Sequence, residues 1–442
     1  MKLFSTSDKF EKNYFSSLLA LIPISFIAGN LIININIVLI VLSALIFFRK
    51  NLFNLRYYFL DKGIFVFFLL ILITGLYNDY ILYKFYNDYS VLRGVFGTTL
   101  KSIFFLKYLL LYLSLRFLIE KKIISLKLFF LSSTIASLFV CFDIFFQFKF
   151  GKDIFGFETF NDNKLGGPFG DELIAGGYLQ RFSIFAFFLL PFFYPKKSVK
   201  LTKYLLPILF LIFIIGIILS GNRMPLILFL FTIILITIFN KQIRKYLIPF
   251  IVIFSLVFTI ILKSNVQIRH NFLSFYNQIS KISVAIINKD FNNKNNPQYL
   301  KEFATFYDTW RMSKYIGGGI KNFRYYCHFR DSIDKTSKFK CNMHPHNYYL
   351  EILTETGLVG FFIILFIFSS ILYLTLYRKY FSNSELNKNN FIIPFIFLFI
   401  TEIFPIKSTG SFFTTGSTTY LILIIAILIG IVRRHYSIEN KL

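Results

Sequence analysis

The chain has 442 residues, 56% of them hydrophobic, with a mean hydropathy of +0.63. A soluble protein of that content has too little polar surface to cover itself, and apolar runs of seventeen or more residues recur along the chain, as in spanning helices. The formal charge of +26 does not indicate nucleic acid, because the basic residues fall in short loops between apolar spans and not along one soluble face.

The expected fold is therefore an all-α polytopic membrane protein. About twelve transmembrane helices are predicted, at roughly 14–30, 32–48, 63–78, 99–118, 124–146, 172–194, 204–220, 223–239, 246–263, 348–377, 390–406 and 418–432. The polar start from Met1 to Lys12, with a second apolar stretch after the first, reads as lacking a cleaved signal. Alternate loops collect Lys and Arg: Arg49, Lys50, Arg56 and Lys62, then Lys121, Lys122 and Lys127, then Lys196, Lys197, Lys200 and Lys203. The series continues with Lys241, Arg244 and Lys245, then Arg378, Lys379 and Lys388, and ends at Arg433, Arg434 and Lys441. The intervening short loops hold fewer basic residues and several acids, including Asp79, Asp88, Glu158, Asp162, Asp171 and Glu172. By the positive-inside rule both termini are cytoplasmic. The chain then divides into spans one to nine (1–263), a large helical periplasmic loop (264–346) and spans ten to twelve (347–442).

Within that loop Phe272, Phe275, Tyr276, Ile279, Ile282 and Ile286 make an apolar stripe at helical spacing, suited to lying on the membrane or the spans. After an Asn-rich turn at 292–296, Leu300, Phe303, Tyr307 and Trp310 form a second stripe, ended by Gly317-Gly318-Gly319. Three cysteines are too few for a disulfide framework. Cys327 and Cys341 nevertheless lie together in this loop, where oxidation would pin the segment; Cys141 lies in a span and reads as core.

Polar groups placed inside or at the outer mouth of spans are functional candidates. Arg223 sits in the short turn Ser-Gly-Asn-Arg-Met-Pro, where a snorkelling interfacial arginine is the alternative. Arg181 falls near mid-membrane, with a structural pair to Asp171, Glu172 or Asp143 as its alternative, and Lys107 lies inside its span or snorkels outward. Arg311 either serves a site or pairs with Asp308 three residues before it. The stretch Cys341 to Gly360 gathers the densest polar chemistry. His344 and His346 there read as acid/base or substrate-orienting groups, with a hydrogen-bonded structural pair as the alternative. Pro345 suits a first helical turn, and Asn347, Glu351 and Glu355 recur at spacing four on one helix face. No zinc-ligand spacing accompanies the histidines, so no metal is expected. Several guanidinium groups and an imidazole at one membrane face suit a lipid-tailed pyrophosphate, because arginine forks match phosphate oxygens bidentately.

These motifs carry a resemblance. Tyr-Asp-Thr-Trp-Arg-Met (307–312), Gly-Gly-Gly-Ile-Lys-Asn-Phe-Arg (317–324), Cys341, His-Pro-His-Asn-Tyr-Tyr-Leu-Glu (344–351) and Glu-Thr-Gly-Leu-Val-Gly (355–360) follow Gly-Pro-Phe-Gly-Asp-Glu (167–172) and Ser-Gly-Asn-Arg (220–223) in order. The ordered set resembles the O-antigen ligase and O-antigen polymerase superfamily of bacterial inner-membrane glycosyltransferases. Lys314-Tyr315-Ile316 departs from the proline common before the glycines. The resemblance implies a metal-independent enzyme without cofactor, in the bacterial inner membrane, with its active site facing the periplasm. It would move a glycan from undecaprenyl pyrophosphate to a hydroxyl of lipid A–core (ligase) or of another lipid-linked glycan (polymerase). By the same resemblance His346 activates or orients the acceptor, and Arg223 and Arg311 clamp the pyrophosphate; Arg181, Lys107, His344, Asn347, Glu351 and Glu355, read from their own placement, are the further candidates for binding substrate. A twelve-span transporter of lipid-linked oligosaccharide is the rival from another class, although the long loop breaks the two-half symmetry such transporters show.

Overall fold

In hydrocarbon every backbone N–H and C=O must be satisfied within the segment, so apolar runs of this length fold as helices. The structure is a computed structural model and describes residues 6–85, 97–158, 164–189, 198–241, 243–288, 297–327, 343–344, 346–382, 384–408 and 410–439. Among the described residues all regular structure is helical, apart from one isolated bridge between Lys152 and Glu158.

In chain order the helices are α1 (Thr6–Ala28), α2 (Asn30–Phe48), α3 (Phe59–Phe85), α4 (Gly97–Phe105), α5 (Lys107–Glu120), α6 (Leu126–Phe150) and α7 (Ala175–Phe182), which runs on as a 3₁₀ segment, Ser183–Phe188. Then come α8 (Ser198–Leu219), α9 (Arg223–Phe239), α10 (Leu247–Ser264), α11 (Val266–Ile287), α12 (Gln298–Met312), α13 (Tyr348–Leu372), α14 (Ile393–Glu402) and α15 (Thr415–Glu439). Seven described stretches are long and apolar enough to cross a membrane: Asn30–Leu52, Phe59–Ile81, Gly97–Glu120, Leu126–Phe150, Arg244–Ser264, Tyr348–Tyr380 and Thr415–His435. Lys203–Leu219, Arg223–Phe239 and Asn390–Glu402 are apolar but shorter. The chain is thus a multi-pass membrane protein by helix length and composition. The number of twelve crossings rests on the sequence pattern.

Helix α15 occupies the centre of the bundle. It is buried along almost its whole apolar length and packs most extensively on α5, with α14 and α2 also against it. Gly430 permits that approach, since a Cβ there would stand 2.9 Å from Ile119 Cβ and 3.2 Å from the Arg116 carbonyl oxygen. Helix α10, in contrast, fully buries only Phe250: one side, with Ile248, Leu256 and Ile260, is exposed, while Ile253, Phe254 and Val257 are partly buried against the core.

At one end of α5 a fully buried ion pair joins Arg116 to Asp61, with 2.6 Å between Nη1 and Oδ1. Tyr112 donates its hydroxyl to the same oxygen at 2.6 Å, the Tyr58 amide donates to Oδ2 at 2.7 Å, and Arg116 reaches the Arg56 carbonyl at 2.7 Å. The Arg433 guanidinium from α15 stacks 3.5 Å from the Tyr58 ring centroid. Buried charges persist only when paired and hydrogen-bonded, and this network ties α3, α5 and α15 together.

Candidate functional site

The site is organised by the first three turns of α13. Asn347 starts the helix as its N-cap: its side-chain oxygen accepts from the amides of Tyr349 and Leu350 at 3.0 and 3.2 Å. Its Nδ2 donates outward to the carbonyls of Pro405 and Lys407 at 2.7 and 3.3 Å. The next residue, Tyr348, carries its hydroxyl into a buried charge cluster centred on Glu402, the last residue of α14. One Glu402 oxygen receives Arg181 Nη2 at 2.6 Å, Lys407 Nζ at 2.7 Å and the Tyr348 hydroxyl, while the other receives Arg181 Nε at 3.2 Å. Arg181 also lies 5.0 Å from the Tyr420 ring centroid and donates to Ser417 Oγ at 3.3 Å. Two cations and one carboxylate leave the cluster with an excess positive charge.

One turn on, Glu351 is buried and accepts from Ser411 Oγ and the Phe412 amide, each at 2.5 Å. Glu355, also buried, accepts from the Lys321 amide at 2.7 Å. The four-residue spacing read from the sequence therefore places Asn347, Glu351 and Glu355 on one inward face, as expected. Their polar atoms hold Pro405, Lys407, Ser411 and Phe412 on one side and Lys321 on the other.

Helix α13 then breaks at Gly357, which adopts φ +67°. The break frees backbone groups that the glycine-rich loop takes up. Leu358 and Val359 amides donate to the carbonyls of Lys314 and Tyr315 at 2.9 and 3.2 Å; Gly318 and Gly319 amides donate to those of Thr354 and Glu355, both at 2.9 Å. A Cβ on Gly317 would land on the Glu355–Thr356 peptide, and one on Gly357 on the Tyr315 carbonyl. Two motifs that look separate in the sequence are thus one backbone-to-backbone unit, and glycine is required there both for φ and for closeness.

The imidazoles precede the cap. The rings of His344 and His346 are 4.9 Å apart, inclined at 66°. Burial, with the neighbouring charges of His346 and Arg324, pushes the His344 pKa down to about 4, so it is a neutral imidazole at pH 7. Arg324, in the single turn Phe323–Tyr326, points Nη1 at Met343 Sδ, 3.8 Å away. Lys107 donates to Asn34 Oδ1 at 2.5 Å and lies within electrostatic reach of Lys321.

The remaining candidates are placed differently. Arg223, half-buried at the start of α9, lies 5.4 Å from the Phe275 ring centroid of α11, near Lys164 and Tyr299. Burial, with the Arg223 charge beside it, lowers the Lys164 ammonium pKa. Arg311 is exposed in the last turn of α12 and does not pair with Asp308. Among the described residues neither arginine has an ion-pair partner. Cys327 is buried and disulfide-bonded, whereas Cys141 is free and buried. Cys341 and Pro345 lie outside the described residues.

Arg181 is paired with neither Asp171 nor Glu172 nor Asp143; Asp143 instead accepts the Ile154 amide at 2.8 Å. Its partner Glu402, together with Lys407, Lys321 and Arg324, was not singled out from the sequence. Lys321 and Arg324 stood within a quoted motif, and that is the one signal that pointed to them. No group of three or more His, Cys, Asp or Glu suited to a metal occurs among the described residues.

Residues 208–365 match a family model described as O-antigen ligase. The matched region runs from α8 into α13 and includes Arg223, Arg311, His344, His346, Asn347, Glu351 and Glu355, while Arg181, Lys107, Glu402 and Lys407 fall outside it. No curated protein matches the chain.

Proposed function

We propose, from the premise that this chain carries an O-antigen ligase domain, that it is a glycosyltransferase moving a glycan from undecaprenyl pyrophosphate to a hydroxyl acceptor at the periplasmic membrane face. The observation that carries the reading is the family match itself, which spans the imidazole stretch and Arg223 in one continuous region. The accompanying topology has twelve crossings, both termini in the cytoplasm, and 264–346 as the outer loop of a bacterial inner-membrane protein.

In this reading His346, on the irregular segment just before the α13 cap, meets the acceptor hydroxyl and takes or orients its proton. Its neighbour His344, held neutral, offers a ring nitrogen as hydrogen-bond partner without adding charge. Arg223 and Arg311, which have no carboxylate partner among the described residues, hold the pyrophosphate and stabilise the negative charge that grows as it leaves. In-line attack at the anomeric carbon inverts it. The Arg181–Glu402–Lys407–Tyr348 cluster fixes the helix that presents the histidines. No metal is assigned a role.

The acceptor favoured is lipid A–core, with a lipid-linked glycan as the polymerase alternative. Deletion in the host, followed by the lipopolysaccharide ladder on a gel, separates them. A ligase deletion leaves core without glycan while long lipid-linked polymer accumulates; a polymerase deletion leaves single repeats on the core. Complementation with His346→Ala is expected to give no ladder although the protein is present in the membrane. A full ladder from that variant removes His346 from catalysis, and an unchanged ladder in the deletion rejects the reaction.

A further inference from the structure

Helix α11 has three faces where an ordinary surface helix has two. Successive helical residues point about 100° apart, so Ile268, Asn271, Phe275, Ile282 and Ala285 share one face. That face is turned into the protein: Ile268, Asn271 and Ala285 are buried, and Phe275 and Ile282 are partly so. A second face carries His270, Asn277 and Lys281, all exposed. Val266, Leu273, Tyr276, Val284 and Ile287 gather on a third, which is apolar and exposed. The stripe expected from the sequence is therefore split, with Phe272, Phe275 and Ile282 toward the bundle and Tyr276 facing out. The helix is also held where the spans end. Asn265 alone separates it from α10 and caps it, its side-chain oxygen accepting the Ile268 amide at 2.9 Å. The Phe258 ring of α10 meets the Phe272 ring edge-on, with 5.0 Å between centroids. In one continuous helix these two residues would stand about 21 Å apart, so the chain turns at Asn265 and α11 folds over the end of α10. Farther along, the Phe275 ring lies 5.4 Å from the Arg223 guanidinium at the start of α9.

We propose that α11 docks on an anionic bilayer surface: its exposed apolar face enters the headgroup layer of the membrane that α10 crosses, and Arg269 and Lys281 meet acidic lipid headgroups. Three observations single out lipid as the occupant. The apolar face follows, after one linking residue, the exposed side of α10, which lipid covers in a spanning helix. From Lys263 to Ile287 the chain carries Lys263, Arg269 and Lys281 and no Asp or Glu, the charge pattern that favours acidic lipids. Arg269 rises from the apolar face itself, where its stem can lie among the headgroups with the guanidinium reaching outward. A second copy of the chain would instead set this positively charged patch against itself. Docking does not depend on the glycosyl-transfer reading.

The test places a fluorescent label on Tyr276→Cys or Asn277→Cys in the full chain, in nanodiscs containing phosphatidylglycerol. The two positions are adjacent in sequence but lie on the apolar and the polar face, and both are exposed, so neither substitution disturbs the core. Wild type treated with the same reagent is the blank. The label on Tyr276→Cys is expected to be quenched by lipid carrying a nitroxide near its headgroup, and at least about threefold less than the label on Asn277→Cys by aqueous iodide. Equal iodide quenching at the two positions overturns the proposal. Protection from iodide without quenching by lipid also overturns it, because protein and not lipid would then cover the face. Headgroup charge has its own readout. Replacing phosphatidylglycerol with phosphatidylcholine should weaken lipid quenching of the Tyr276→Cys label, and this difference should vanish once Arg269→Gln and Lys281→Gln are added. Equal lipid quenching in the two bilayers, or a difference that survives both substitutions, overturns the assignment to acidic lipid. None of these readouts involves glycan transfer, so they stand whether or not that reading does.

Discussion

At the scale of single residues, His344 and His346 show how position decides the role of the same side chain. His344 is held at a pKa of about 4 by burial and by two neighbouring cations or potential cations, His346 and Arg324. The sign of its contribution to stability follows. Unfolded, the imidazole titrates near 6.5, so between about 6.5 and 4 the unfolded chain binds a proton that the folded chain refuses. Stability is therefore lost as the pH falls through that window and changes no further below it. His344→Asn removes this proton linkage, so its thermal midpoint should fall less than that of wild type between pH 7 and pH 4. Parallel curves for the two proteins would mean that His344 is not buried neutral.

At the scale of elements, α13 was the most legible part of the site and α14 the least. The spacing of Asn347, Glu351 and Glu355 announces a shared helix face; that Asn347 also caps this helix emerges only from the structure. The motifs at 317–324 and 355–360 were visible too, although not that they bond to each other, since nothing in a one-dimensional pattern says which carbonyl a broken helix exposes. In the sequence Arg181 reads as an unusual charge within an apolar stretch, with nearby acids as its alternative partners. Glu402 lies 221 positions away at the end of an apolar helix, where it reads as the last residue of a span. Pairing over such a distance is decided by the packing of α7 against its neighbours, which local pattern does not encode. The pairing has a measurable consequence. Glu402→Gln leaves Arg181 and Lys407 buried without a counter-charge, and breaking a buried pair by removing one member costs about 3–5 kcal/mol. The variant should melt well below wild type in detergent, whereas Glu402→Asp should recover part of the loss. If Glu402→Gln melts with wild type, the cluster is not buried and charged.

At the scale of the whole molecule, hydropathy identified the helices but says nothing of their depth, because a centre helix and a lipid-facing helix have the same composition. Helix α15 lies in the middle and α10 at the rim, although both are almost entirely apolar. The discriminating residue is small and easily overlooked: Gly430 lets α15 reach the backbone of α5 at Arg116, beside the buried Asp61 pair. Exposed α10 residues have no such neighbour to displace. Gly430→Leu should therefore force α5 and α15 apart, at a cost of about 1–3 kcal/mol for overpacking and more if the Arg116–Asp61 pair opens with it. Leu256→Ala on α10 removes most of a large apolar side chain but should shift stability by no more than about 0.5 kcal/mol, because that side chain is exposed on the bundle surface. Thermal melting of both variants in one detergent gives the comparison. A larger loss at Leu256 than at Gly430 would place α10 inside the bundle and α15 outside it, and the frame that holds α13 would have to be redrawn.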